Sequence, residues 1–219
     1  VDALKNLSHT YIPQVYDFVA EDGVVYTVMD YIQGESLDKP LKRGERFTQP
    51  QVIHWARQLL QALCYLHSRP PHGILHSDIK PANIMLTPSG DICLIDFNIA
   101  LALGEEGAIR VGFSRGYASP EHYGLDYTAA AATQGLDTDV ETRLTTQAVT
   151  VIPGDAGSSV GSSRRSVLLD VRSDIYSLGA TLYHLLTGVR PAQDAKDVVP
   201  IGGPGISPEV AAIVKKAME

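Results

Sequence analysis

The stretch LHSDIKPANIML, Leu75 to Leu86, sets a carboxylate two residues before a lysine and follows it with Pro-x-Asn. Asp78 can accept a proton from a hydroxyl, Lys80 can neutralise phosphate oxygens, and Asn83 can offer its amide oxygen to a magnesium ion. Pro81 stiffens the turn between them. Thirteen residues after Asn83, the run DFN supplies a second carboxylate, Asp96. Two short extended pieces, NIMLT and DICLID, lie between and are joined by Pro-Ser-Gly, which predicts a hairpin. A hairpin brings its ends together, so Asn83 and Asp96 are expected to share one metal. Base, phosphate clamp and two metal ligands are the parts that phosphoryl transfer to a hydroxyl requires.

Working outward, residues 1–8 are expected to finish a helix, with Leu4 and Leu7 three apart. QVYDFVA and VVYTVMDYI are β-branched and aromatic runs separated by Glu-Asp-Gly, a second predicted hairpin. GESLDKPL is expected to start a short helix. From Thr48 to Ser68, Val52, Trp55, Leu59, Leu63 and Leu66 fall on one stripe at helical spacing, with Thr48 as cap and Pro50 in the first turn. SDIYSLGATLYHLLTG is apolar over most of its circumference and ends at Gly188, so a buried helix is predicted. SPEVAAIVKKAME reads as an amphipathic helix. Between these, Thr128 to Ser166 is rich in Thr, Ser, Ala and Gly and is expected to be a flexible insertion.

The chain has 219 residues, 44% of them hydrophobic, enough for one large core. A net charge of −7 leaves no basic stripe to bind nucleic acid. Cys64 and Cys93 sit in apolar runs and are expected to be buried free thiols of a reduced compartment. No apolar run approaches the roughly 18 residues that span a bilayer. A soluble, cytoplasmic chain is expected, with an anchor elsewhere in a longer protein still compatible.

HSDIKPAN resembles the H-R-D-x-K-P-x-N catalytic loop of serine/threonine protein kinases. DFN is similar to their D-F-G metal motif, SPE (residues 119–121) to the A-P-E that closes the activation segment, and DVRSDIYSLGATLYHLLTG to the helix anchoring the large lobe. The style of GYASPEHYG and HLLTG resembles the bacterial eukaryotic-like (Hanks-type) branch. The resemblance implies an α+β, protein-kinase-like fold: mostly the helical large lobe (33–219), interrupted by the insertion at about 128–166, with a remnant of the small lobe and hinge in residues 1–32. It implies transfer of the γ-phosphate of ATP, with Mg2+, to protein Ser/Thr hydroxyls. Asp78 matches the catalytic base, Lys80 the phosphate-contacting lysine, and Asn83 and Asp96 the magnesium ligands. Met29 matches the gatekeeper, Asp30 to Ile32 the hinge that bonds adenine, and Met85 a residue beneath it. Leu4, Val15, His76 and Phe97 match the stacked regulatory spine. Ser114 stands where the family contacts the catalytic Asp and Lys, and Glu121 belongs to the closing motif. Taken singly, Asp78 is an ordinary turn residue, Lys80 a surface charge and the methionines core fillers; it is their joint spacing that carries the reading.

Some positions depart from the pattern. Ser77 replaces the arginine that pairs with a phosphorylated activation segment. The segment from Asp96 to Glu121 offers no dedicated hydroxyl switch, so activity independent of activation-segment phosphorylation is expected. Asn98 replaces the glycine of the metal motif, a tolerated exchange, since asparagine visits left-handed backbone cheaply. The Gly-rich loop and ATP-binding lysine would precede Val1, and the arginine that pairs with Glu121 would follow Glu219. Both ends therefore read as cut, and the 219 residues alone are expected to be compromised in folding and inactive. Thr138, Thr142, Thr145 and Thr146 lie among acids in the insertion and are candidate phosphosites for a phosphothreonine-reading partner, beside the plainer reading of a solvated loop. The alternative from another class is a pseudokinase acting as a regulatory binding module; a small-molecule kinase of similar fold fits the SPE closure and the KPxN form less well.

Overall fold

The computed structural model describes residues 2–21, 24–70, 73–97, 110–111, 114–123, 147–151, 166–192 and 197–219. Helix α1 (Asp2–Lys5) leads into strands β1 (Val15–Glu21) and β2 (Val24–Met29), an antiparallel pair whose register shifts between Val15 and Asp17. The helix is shorter than residues 1–8, yet Leu4 and Leu7 are both buried. Strand β3 (Glu35–Ser36) precedes helix α2 (Asp38–Lys42), so GESLDKPL is a strand before it is a helix. β3 pairs with β4 (Ile84–Leu86), and β4 with β5 (Ile92–Leu94), in one antiparallel sheet.

Helix α3 (Gln49–His67) buries Val52, Trp55, Leu59, Leu63 and Leu66 along a single face. Its start is fixed by Gln51 Oε1, which accepts from Thr48 N at 2.9 Å and Thr48 Oγ1 at 2.8 Å. Full burial of each leucine stabilises by roughly 1.5–3 kcal/mol. Two polar side chains of the same helix fasten the β4–β5 ribbon. Trp55 Nε1 donates to Gly90 O at 2.9 Å, and Gln58 receives Ile92 N at 2.9 Å while donating to Asp91 Oδ1 at 2.6 Å. Cys93 is buried, but Cys64 is exposed, which corrects the expectation of two buried thiols. Position 64 falls beside the Leu59–Leu63–Leu66 stripe, and local apolar composition does not distinguish the two sides of a helix.

Helix α4 (Val171–Thr187) runs through the centre, with most of its length buried. Asp170 caps it by accepting Arg172 N at 2.8 Å, and Gly188 ends it in left-handed backbone, φ 68°. Helix α5 (Pro208–Ala217) packs on α4 and is tied to the start of α3 by Ser207 N donating to Gln49 Oε1 at 2.6 Å.

A third sheet joins β6 (Arg110–Val111), β7 (Gln147–Val151) and β8 (Ser166–Leu169). β7 pairs in parallel with β6 and antiparallel with β8. Part of the insertion is therefore strand, where a flexible loop was expected; AVTV carries the β-branched residues for it. Thr138, Thr142, Thr145 and Thr146, and Asn98, lie outside the described residues.

Candidate active site

Asp174, four residues into the apolar α4, is fully buried and turned towards the loop at His76–Asp78. One carboxylate oxygen accepts His76 N at 3.0 Å, and the other accepts Ser77 N at 2.8 Å. His67 Nε2, at the end of α3, lies 2.8 Å from the first. Burial alone would raise the Asp174 pKa. The hydrogen bond from His67, the charge interactions with His76 and His67, and the His76 amide outweigh it and hold the carboxyl below its ordinary value. Ser77 adopts φ 63°, a left-handed conformation costing a non-glycine residue roughly 1–2 kcal/mol. Its amide bond to Asp174 accompanies that strain, while its buried hydroxyl has no hydrogen-bond partner among the described residues.

His76 is completely buried, and burial lowers its pKa. Its Nδ1 accepts Asp78 N at 3.3 Å and its Nε2 faces Ile95 O at 3.0 Å, which fixes a neutral ring with the proton on Nε2. The loop and the exit of the ribbon are thereby joined through one imidazole.

Asp78 is the centre of a four-residue cluster. Lys80 Nζ contacts Asp78 Oδ2 at 2.5 Å and donates to Ser114 Oγ at 2.8 Å. Ser114 Oγ donates to Asp78 Oδ1 at 2.8 Å. Asn83 Nδ2 donates to Asp78 O at 2.9 Å and Asp78 Oδ2 at 3.1 Å. Residues 34 to 36 positions apart in sequence thus meet on one carboxylate. Asp78 and Lys80 are both about four-fifths covered, which strengthens their interaction beyond that of a surface pair.

Asn83 and Asp96 are brought near each other through the backbone. Asn83 O accepts Ile95 N at 2.9 Å, one residue before Asp96. Asp96 has φ 58°, and it and Ser77 are the non-glycine residues with positive φ among those described. Both of these strained positions flank the same cluster. The bonds from Asn83 Nδ2 turn its amide oxygen away from Asp78. The Asp96 carboxylate is exposed and, among the described residues, unbonded. One amide oxygen and one open carboxylate fit a magnesium ion, which takes oxygen ligands and usually completes its shell with water and phosphate.

Asp96 also lines a cavity of about 340 Å³ with Leu4, Val15, Met29 and Phe97. The Phe97 ring lies 5.2 Å from that of His76, and Phe97 lines the cavity together with Leu4 and Val15. Met29 ends β2, and residues 30–33 follow without regular secondary structure. Asp30 N is committed to Gln14 O at 3.0 Å, and its carboxylate accepts Gln14 N and the Tyr16 hydroxyl, anchoring the hairpin base. Ile32 and Met85 are both half-buried. The side chain of Glu121 lies outside the described residues.

Several positioning residues escaped the sequence reading. Asp174 is the most important, and its signal was an aspartate inside an otherwise apolar helix. Thr181 Oγ1 donates to Ile79 O at 3.3 Å from the same helix. Tyr117, three residues after Ser114, bonds His184 Nδ1 at 2.6 Å, and burial pushes its hydroxyl up to about 12.

A sequence model of the protein kinase domain family matches residues 1–140. The chain is 30% identical to a probable serine/threonine-protein kinase of Streptomyces coelicolor, over 97% of this chain and 28% of that protein. It is 30% identical to a probable serine/threonine-protein kinase of Clostridium acetobutylicum, over 86% and 22%. Over 48% of the chain and 40% of the relative, it is 39% identical to one of Bacillus subtilis. The chain thus spans about a quarter of the length of the first two curated relatives.

Proposed function

The chain belongs to the protein kinase family, and from that premise we propose that it carries the phosphoryl-transfer site of a serine/threonine protein kinase. The observation that supports this reading best is the convergence of Lys80, Asn83 and Ser114 on the Asp78 carboxylate. Asp78 receives the proton of the attacking hydroxyl. Lys80 lies against it and meets the charge of the transferred group. Ser114 links the two and fixes their spacing. Asn83 and Asp96 would hold magnesium together with ATP, and the ion would there supply neutralisation of phosphate charge. Asp30 to Ile32 bond the adenine edge, with Met29 at the back and Met85 beneath. Residues 1–32 act as the small-lobe and hinge portion, and 33–219 as the large lobe.

We further propose that the activation segment is held without phosphorylation. Ser77 offers no charge to a phosphate, and β6, within that segment, is instead paired to β7 of the insertion. The threonines at 138, 142, 145 and 146 are proposed phosphosites that a phosphothreonine-reading partner binds. Mass spectrometry after incubation with ATP would find phosphate there; its absence removes the idea.

The test is phosphate transfer from labelled ATP with Mg2+ to protein Ser/Thr, by the purified full-length protein that carries these residues and by its Asp78→Asn variant. Activity lost by about 10²–10⁴-fold in the variant, with ATP binding retained, supports Asp78 as base. ATP binding without transfer in the unsubstituted protein favours the regulatory, pseudokinase reading.

A further inference from the structure

In a chain of net charge −7, two arginines come together beside the segment that follows Ser114. Arg190, just past α4, donates to Arg115 O and lays its guanidinium over the Tyr117 ring, 5.1 Å from the centroid. Arg46 reaches the same region from the loop before α3 and presses its guanidinium against Gly188. Both charges act on His184, whose ring bonds Tyr117; burial, and then the charges of Arg190 and Arg46, lower its pKa.

Three acids on the segment leading to Arg46 are already paired. Asp38 pairs with Lys42 at 2.6 Å, and Glu35 and Glu45 both pair with Arg43 at 2.7 Å. Among the described residues, neither Arg46 nor Arg190 has a carboxylate partner. Two exposed guanidinium groups, one over Tyr117 and one against Gly188, repel each other and favour an anion between or beside them. Arg190 is held to Arg115, the residue after Ser114, and Ser114 touches Asp78. An extended peptide advances about 3.3–3.6 Å per residue, so a side chain a few positions from a hydroxyl at Asp78 reaches this patch.

We propose that Arg46 and Arg190 form an anion-recognition site that selects acidic residues flanking the acceptor hydroxyl of the protein substrate. The proposal rests on the transfer reading above and names its substrate class. Charge, not shape, does the selecting: Asp or Glu near the acceptor is favoured, and Lys or Arg there is repelled.

The experiment measures binding by fluorescence anisotropy, without ATP, of three serine peptides identical except for flanking Glu, Gln or Lys. In the purified protein the Glu peptide binds about fivefold tighter than the Gln peptide at low salt, and the Lys peptide more weakly than either. The difference collapses at high salt. In the Arg46→Gln, Arg190→Gln double variant, its fold checked by circular dichroism, Glu and Gln peptides bind alike. Equal binding of Glu and Gln peptides to the unsubstituted protein overturns the site, and needs no variant to do so. So does a Glu preference that survives in the folded double variant. Phosphate incorporation is read separately: Glu-selective binding with none transferred to any peptide leaves the anion site standing and overturns the transfer reading instead.

Discussion

The Asp174 carboxylate spans the amides of two consecutive residues, His76 and Ser77, at 3.0 and 2.8 Å. This one side chain makes α4 the platform on which the loop before Asp78 is laid. Asp174→Asn puts an NH2 where one of the accepting oxygens stood and leaves a buried donor facing a donor. A loss of about 3 kcal/mol in urea-unfolding stability is expected. Because the left-handed Ser77 depends on the same bond, activity should fall further than stability alone accounts for. An Asn variant of unchanged unfolding midpoint contradicts this assignment.

Ser114→Ala removes the hydroxyl that donates to Asp78 and accepts from Lys80. Asp78 and Lys80 keep their direct contact, so kcat is expected to fall by about tenfold, far less than in Asp78→Asn. Ser114→Thr keeps the hydroxyl and should restore most of the loss. Steady-state kinetics on the three variants order them.

Stability should decline as pH falls below 6.5, the ordinary histidine value. Burial lowers the His76 pKa in the folded protein, so the unfolded chain takes up a proton that the folded one refuses. Above 6.5 both states are neutral and the curve is flat with respect to this group. Between 6.5 and the folded value the slope reaches about 1.4 kcal/mol per pH unit. His184 is shifted in the same direction. Asp174 acts lower down: its contribution is present above the ordinary 3.8 and is lost as pH falls through its depressed value. Urea midpoints from pH 7.5 to 5.5 check the histidine part, and His76→Gln should reduce the slope to the part that His184 contributes.

Gly188 closes α4 at φ 68°, and a Cβ there would collide with the Arg46 guanidinium. Gly188→Ala therefore combines left-handed strain with displacement of Arg46, a cost of about 1–2 kcal/mol. Gly90, also at positive φ but with open space around it, supplies the control. Gly90→Ala carries the strain alone and should destabilise less.

Thr150 sits in β7, the middle strand of its sheet, opposite Arg110 on one side and Ser166 on the other. Proline cannot serve in a central strand, since it removes a ladder donor. Thr150→Pro should accelerate amide hydrogen exchange at Arg110, Val111 and β8 while leaving α3 protected. Unchanged exchange at Arg110 and Val111 would show that the activation segment does not rely on the insertion.

Local pattern determined much of this protein. The α3 stripe, the Thr48 start, the Gly188 stop and the hairpin between Asn83 and Asp96 all follow from periodicities of 3.6 and 2 and from turn chemistry. Those forces act within a few residues, so they are written in neighbouring letters. The spacing of Asp78, Lys80, Asn83 and Asp96 was legible for the same reason, as was the family resemblance it carries.

What lay beyond reach was every decision made by burial across long separations. Asp174 meets His76 at a distance of 98 positions, and Ser114 meets Asp78 at 36. The threonine-rich insertion contributes a strand beside Arg110, and Cys64 turns outward although its neighbours point in. A buried amide or carboxylate must find a partner wherever the packed chain provides one. That partner is chosen by how helices and ribbons stack, which no short stretch of sequence encodes.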